Sequence, residues 1–427
     1  MKRLLSLDTL RGFLIFYVIF IHAVLLIIFQ ANSDYVDILP FWLITLIFPL
    51  LLIAMWGPMF SMISATINTC LVHNQLEKGK SLRSVLSKRM WNYLLIIIVH
   101  IINTIFFIHF IPLDDTIYRS LFCGYLETGY LSLPSILMLL NSGTLLLIGL
   151  SGLFINLVFL FIWKNNGHKR YKTTIGMFIG LSIVFLLIRP LILPLIDTFI
   201  LDLAGQKNYV TAILLSWMFR GQFGFIPMAT FSFFGVLIGV LQATNVNKQK
   251  ILKILIKTIV CLIILAGIFI GIYGIPDLTL PYWPIAMVTV NLAIMFTVLI
   301  FCILRFDYAP DHKVKKRVNR SLFFRRFNMI TLTIFVFESI ISVLWAKIFT
   351  FFLNDPFPYN ILADFVFLFC VIGTWYVILR MWERIDFKYS IEWVMMKIIS
   401  KLTGSTSHKL DVTSVLYHPL SSRENKY

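Results

Sequence analysis

Long apolar runs alternate with short polar connections along nearly the whole of this chain. Runs of spanning length occur near 9–30, 40–72, 91–111, 134–163, 173–196, 222–242, 251–273, 282–304, 328–349 and 359–381. About 20 predominantly apolar residues are what an α-helix needs to cross a hydrocarbon core. The pattern therefore predicts an all-α, polytopic integral membrane protein of about ten transmembrane helices. The second run is long enough for one tilted or kinked helix, bent at Gly57-Pro58. Two helices there would reverse the sidedness of everything downstream.

The pattern changes after the last run and divides the chain into a helical bundle over 1–382 and a tail over 383–427. Within the tail, Ile391, Val394, Met395, Ile398 and Ile399 recur at helical spacing, with Lys397 and Lys401 on the other face. That amphipathic stretch, 389–402, predicts a helix lying on the inner leaflet. The last twenty or so residues are expected to be mobile, as chain ends commonly are.

Composition agrees with the pattern. Of 427 residues, 59% are hydrophobic and 13% charged, and the mean hydropathy is +0.88. These values exclude a soluble protein of this length. Lys2 and Arg3 followed by an apolar run resemble a signal peptide, but no small-residue cleavage site follows, so the run reads as a retained first helix. The net charge of +17 would suggest nucleic acid in a soluble protein. Here the basic residues concentrate at the N-terminus, in 73–90, 164–172, 243–250 and 305–327, and after 381, which is the positive-inside signature. No aromatic-basic platform accompanies them, which argues against nucleic-acid binding. The alternate connections carry Asp114, Asp115, Glu127, Asp197, Asp202, Asp277 and Asp355. The asymmetry favours a single second helix and both termini in the cytoplasm of a multi-pass protein, with the cell membrane as its setting. The five cysteines show no paired spacing, so neither a metal site nor a disulfide framework is expected.

The candidate chemistry begins in Ser6–Ala23, SLDTLRGFLIFYVIFIHA. His22 lies eleven residues beyond Arg11, roughly 16 Å along the helix and on nearly the same face. Asp8, Arg11 and His22 share an arc of about sixty degrees. An ionisable side chain at that depth is expensive unless it faces a partner or a cavity. Two readings of His22 stand at this point, a structural hydrogen-bonded imidazole or a functional group. Asp8 and Arg11 likewise read either as a local i, i+3 ion pair or as the mouth of a site. Glu338, within ITLTIFVFESII, sits at a matching depth and could orient and charge-stabilise a histidine base. Its alternative is structural pairing with Arg189 or His100. His100 and Asn103 are further buried polar groups, whereas His109, Lys347 and Asp364 read as solvated groups near the outer interface.

The run SLDTLRGFLIFYVIFIHA resembles the opening signature of the membrane acyltransferase superfamily, which includes acyltransferase family 3 and heparan-alpha-glucosaminide N-acetyltransferase-like proteins. TLIFPLLLIAMWGPMFSM (45–62), SLRSVLSKRMWNYLL (81–95), FGFIPMATFSFFGVLIG (223–239), RFNMITLTIFVFESII (326–341) and FKYSIEWVMMKI (387–398) are similar to later segments of that superfamily, in the same order. Asn92 stands where a second arginine is frequent, Glu338 where relatives carry His or Gln, and Tyr389-Ser390-Ile391 replaces a small Gly-Pro pair. The resemblance implies transfer of an acyl group, acetyl above all, from cytoplasmic acyl-CoA to a hydroxyl or amine of a glycan or lipid-linked acceptor. It implies His22 as general base and Arg11 in contact with the donor; Glu338 joins them as orienter by its matching depth rather than by the resemblance, and no metal is expected. The polyanionic end of CoA would dock on Lys78, Lys80, Arg83, Lys88, Arg89 and the basic 313–326 segment, with Arg11, Lys88 and Arg89 the donor-binding candidates. The reading is compatible with a homo-oligomer.

Two other classes compete. Intramembrane ionisable residues and helices broken at Gly57-Pro58 and Arg189-Pro190 also suit a secondary transporter or lipid flippase, although no internal inverted repeat is visible. A non-catalytic family member is the third reading.

Overall fold

The computed structural model describes residues 4–30, 45, 56–113, 116–244, 246, 248–274, 284–354, 357, 360–404 and 412–417. Among these, nine helices are long and apolar enough to cross a membrane. The protein is therefore an all-α, multi-pass membrane protein. The first half of the 40–72 run, including residues 46–55, lies outside the described residues. Its second half forms helix α2, Gly57–Glu77, with Pro58 in the first turn. Gly57-Pro58 thus opens a helix here, as proline suits a position where no intrahelical N–H is needed.

The helices fall into two compact units. One comprises Trp56–His100 and Leu139–Cys302, the other Lys2–Met55, Ile101–Met138 and Ile303–Tyr427. The first unit is built around α2 and α8 (Phe225–Ala243). Gly235 lets the two backbones touch, since a Cβ there would sit 2.2 Å from the Met62 carbonyl oxygen. Small residues at a helix crossing are the usual device where lipid removes any hydrophobic drive between helices. Helices α5 (Thr144–Ile162) and α6 (Tyr171–Gly205) complete this unit's core, with Phe159, Trp163, Phe178, Phe185, Phe225 and Phe233 packed together. Polar groups within it are bonded across helices, as in Asn68 Nδ2 to Asn156 Oδ1 at 3.1 Å and Thr66 Oγ1 to the Gly235 carbonyl at 3.0 Å.

Several boundaries depart from the hydropathy pattern. Helix α3, Leu82–Ile102, begins nine residues before its apolar run, because the basic segment before it consists of good helix formers. The 134–163 run is interrupted at Asn141-Ser142-Gly143, between a 3₁₀ turn at Ile136–Leu140 and α5. Turn-forming side chains there outweigh apolar continuity, and Ser142 Oγ donates to the Arg220 carbonyl at 2.8 Å. Helix α6 runs for 35 residues straight through Arg189-Pro190, so no break occurs at that site. A short helix α7, Tyr209–Phe219, follows it, then α9 (Lys248–Tyr273) and α10 (Ile285–Phe306).

The second unit is organised around α1 (Leu5–His22) and α13 (Thr331–Leu353). Helix α1 lies against α12, Leu322–Met329. The crossing is close: a Cβ on Gly12 would fall 1.8 Å from the Phe324 carbonyl oxygen. Phe16 fills the same crossing, edge-on to Phe323, Phe324 and Phe327 at 5.6, 5.7 and 5.6 Å. Beside α13 lies helix α4, Leu121–Thr128, preceded in the chain by a hairpin, β1 (Phe110–Leu113) and β2 (Thr116–Arg119), paired Phe110↔Arg119 to Leu113↔Thr116. The basic helix α11, Asp311–Arg320, packs its buried Val314 and Val318 against Leu5. Helices α14 (Ile361–Glu383), α15 (Ile391–Thr403) and α16 (Val412–Leu416) complete the chain.

Two attachments of the tail are seen only in the structure. Helix α15 occupies the expected stretch, but it is attached to the start of α13. Glu392 accepts from the Leu332 amide at 2.6 Å and from Thr333 Oγ1 at 2.6 Å. Residues 412–417 are docked as well. The buried Arg325 donates to the carbonyls of Val415 and Leu416 at 3.2 and 2.9 Å. Tyr417 Oη donates to Glu383 Oε1 at 2.5 Å and accepts from Arg326 at 3.1 Å.

Candidate active site

Two helices of the second unit carry the candidate chemistry. His22 is the last residue of α1, and from Ala23 to Ile28 the chain continues as a π-helix. A second π-turn, Asn103–Phe107, follows α3, and both pack against α13. Such wide turns displace the normal hydrogen-bond ladder and often accompany functional positions. Glu338 projects from the second turn of α13. Its Oε1 lies 2.7 Å from His22 Nδ1 and also accepts from Ser339 Oγ at 3.0 Å.

The two side chains are exposed very unequally. Glu338 is only 4% exposed, whereas 35% of the His22 side chain is accessible. Within this arrangement Nδ1 carries the proton toward the carboxylate, which leaves Nε2 as the imidazole's free base. The second carboxylate oxygen, Oε2, is buried and has no hydrogen-bond partner among the described residues. The Phe335 ring approaches the imidazole edge-on at 6.4 Å. A carboxylate held against one imidazole nitrogen fixes the ring and stabilises its protonated form, the arrangement that general-base catalysis needs.

Arg11 belongs to a separate polar cluster near the start of the same helix. Its Nε donates to Asn328 Oδ1, and Asn328 Nδ2 donates to Asp8 Oδ1 at 3.1 Å. Arg11 and Asp8 also approach to 4.0 Å. The local i, i+3 pair expected from sequence is thus extended by Asn328, which ties α1 to α12. Lys88 and Arg89 are partly buried on α3 in the first unit. His100, a residue of that unit, packs on Trp217 at 6.3 Å and against Gly143. Asn103 is buried in the second π-turn, and the Arg189 side chain lies outside the described residues.

Other polar residues read from sequence fall differently. His109 is buried and lies 2.7 Å from Glu127, whose other oxygen accepts from Arg119 at 2.7 Å. Burial opposes the Glu127 charge, but His109 and Arg119 outweigh it and hold this carboxyl below its ordinary range. Lys347 donates to the Leu126 carbonyl at 2.6 Å. These contacts secure β2 and α4, so His109 is not the solvated group expected from its position in the sequence.

Sequence reasoning missed Asn328, Asp307 and Glu392. Asp307 follows α10 and accepts from the Leu5 amide at 3.0 Å and from the Ser6 hydroxyl. Glu392 stands on the polar face of an amphipathic segment, where a carboxylate reads as solvated. Burial against α13 instead raises its pKa, although hydrogen bonds from Thr333 and Leu332 oppose the shift. Among the described residues no group of three or more His, Cys, Asp or Glu is arranged to hold a metal ion. Comparison with family models, curated proteins and solved structures gives no significant match for this chain.

Proposed function

We propose that this multi-pass membrane protein is an acyl-CoA-dependent acyltransferase that uses His22 as its general base. The observation that carries the reading is the His22–Glu338 pair, an imidazole and a buried carboxylate 2.7 Å apart on two apolar helices. The resemblance of Ser6–Ala23 to the membrane acyltransferase signature adds the reaction class. A carboxylate–imidazole pair is costly inside a membrane bundle, and the imidazole keeps accessible surface while its carboxylate is buried.

In the proposed reaction the acceptor's hydroxyl or amine gives its proton to His22 Nε2 as its oxygen or nitrogen attacks the thioester carbonyl. The new C–O or C–N bond forms, the C–S bond breaks, and the imidazolium returns the proton to the departing CoA sulfur. Glu338 stabilises the imidazolium by charge and keeps Nδ1 as the donor. Arg11 stands at the start of the same helix to meet the donor. The acceptor class is a glycan or lipid-linked hydroxyl or amine. The positive-inside pattern supports placing both termini in the cytoplasm, and the cell membrane is the proposed setting. The transport alternative loses one of its two expected helix breaks, since α6 is unbroken at Arg189-Pro190.

The test is made on purified protein in nanodiscs with acetyl-CoA. Saturable thermal stabilisation is expected, because a ligand of the folded state raises apparent stability. Acetyl transfer to membrane glycolipid extract should be lost in His22→Ala with the melting temperature kept. Absence of stabilisation, or turnover retained in His22→Ala, would overturn the assignment.

A further inference from the structure

We infer that Asp307 and Glu392 are positioning residues, carboxylates supplied from distant elements that set the axial registers of α1 and α13 so that His22 meets Glu338. The inference rests on the proposed site for its meaning, but its evidence is geometric. Helix α1 begins after Leu4 and α13 after Ile330, and neither residue offers a capping side chain. The first amides of any helix lack intrahelical acceptors. In α1 that demand is met by Asp307, which takes the Leu5 amide on one oxygen and the Ser6 hydroxyl on the other. In α13 it is met by Glu392. One of its oxygens accepts from the amides of Leu332 and Thr333 at 2.6 and 3.4 Å, and the other from Thr333 Oγ1 at 2.6 Å. Thr333 Oγ1 in turn accepts from the Ile391 amide at 2.9 Å, which closes the joint from both sides.

A helix start alone does not require help from a distant element. Helices α14 and α15 use their own Asn360 and Ser390 for this purpose. A carboxylate supplied from elsewhere does something a local cap cannot: it attaches the helix end to another part of the fold. That attachment matters for register. A helix advances about 1.5 Å per residue, whereas a hydrogen bond such as His22–Glu338 tolerates displacements of only a few tenths of an ångström. Close packing holds α1 and α13 against their neighbours, and the two carboxylates add directional attachments at the helix starts. Anionic groups also favour helix N-termini electrostatically, so each joint is reinforced by the dipole of the helix it holds.

The experiment reads His22 directly in the full-length protein. Carbethoxylation of His22 by diethyl pyrocarbonate is followed against pH by peptide mass spectrometry, with the exposed His312 as internal reference. Glu338→Gln sets the value for an imidazole without its carboxylate. Glu392→Ala and Asp307→Ala are expected to move the His22 midpoint toward that value and to change its rate at neutral pH about threefold or more, with His312 unmoved. Glu392→Gln and Asp307→Asn, which keep one acceptor oxygen, should move it less and serve as the test if the alanine variants do not accumulate. A variant with an unchanged His22 midpoint would overturn the inference, even if its melting temperature fell, because loss of stability alone does not alter this titration. The readout needs no acyl-CoA. Failure of acetyl transfer in the unaltered protein would therefore overturn the enzyme reading and leave this one to be judged separately.

Discussion

Gly12 marks the point where one hydrogen atom decides how two helices meet. Alanine there would gain roughly 1 kcal/mol of helix propensity, but its methyl group would lie 1.8 Å from the Phe324 carbonyl oxygen. A backbone atom cannot be relieved by a rotamer change, so the overlap prevails. Gly12→Ala is expected to destabilise by about 1–3 kcal/mol, seen as a lower melting temperature in nanodiscs. Gly267→Ala on α9, where nothing lies within 4 Å, should leave that temperature unchanged or raise it. Equal effects at the two positions would mean that the α1–α12 crossing gives way easily. At this scale the sequence displayed much of the site. Arg11 and His22 fall on one face by helical arithmetic, and the depth of Glu338 could be counted from the end of its apolar run. Nothing local marked Asn328, because its role depends on α12 lying across Asp8 and Arg11, more than 300 residues away in the chain.

At the scale of elements, the docked terminus gives a direct test. Arg325 is 2% exposed, and two of its contacts are carbonyls at the C-terminal end of α16, where a cation also suits the helix dipole. Removing residues 405–427 should open Arg325–Arg326 to trypsin, with the rate of cleavage there rising at least several-fold on peptide mapping. Unaltered protection would show that α16 does not cover this site. The hairpin and α4 offer a pH test. Glu127 is held below its ordinary range in the folded protein, so the stability it confers is fully present above the unfolded value of about 4.5 and is lost as pH falls through the lower folded value. The melting-temperature gap between the unaltered protein and Glu127→Gln should hold at neutral pH and narrow below about pH 4.5. A gap independent of pH would remove the ion pairs from the account. Legibility was uneven here. The apolar cores of most spans could be read from hydropathy, but their ends could not. Lys and Arg continue α3 outward, and Asn141-Ser142-Gly143 ends an apolar run that hydropathy alone would extend.

For the molecule as a whole, the loop charges predict which connections share a side of the membrane. Single cysteines introduced as Lys80→Cys and Lys313→Cys should react with an impermeant maleimide only after right-side-out vesicles are permeabilised. Tyr130→Cys and Lys207→Cys should react before it. The reverse pattern would overturn the proposed orientation, and labelling of all four from outside would overturn the assignment of sides. The sequence by itself determined that this is an all-α, multi-pass membrane protein, because the lack of water in a bilayer forces backbone groups to pair within apolar helices of minimum length. It also showed which ionisable residues lie at unusual depth. Only the tertiary structure decided that His22 and Glu338 are partners, and that carboxylates at positions 307 and 392 hold the starts of their helices. Hydropathy is a local, additive property of the chain. The pairing of polar groups depends on rotation and register between segments hundreds of residues apart, which no local pattern encodes.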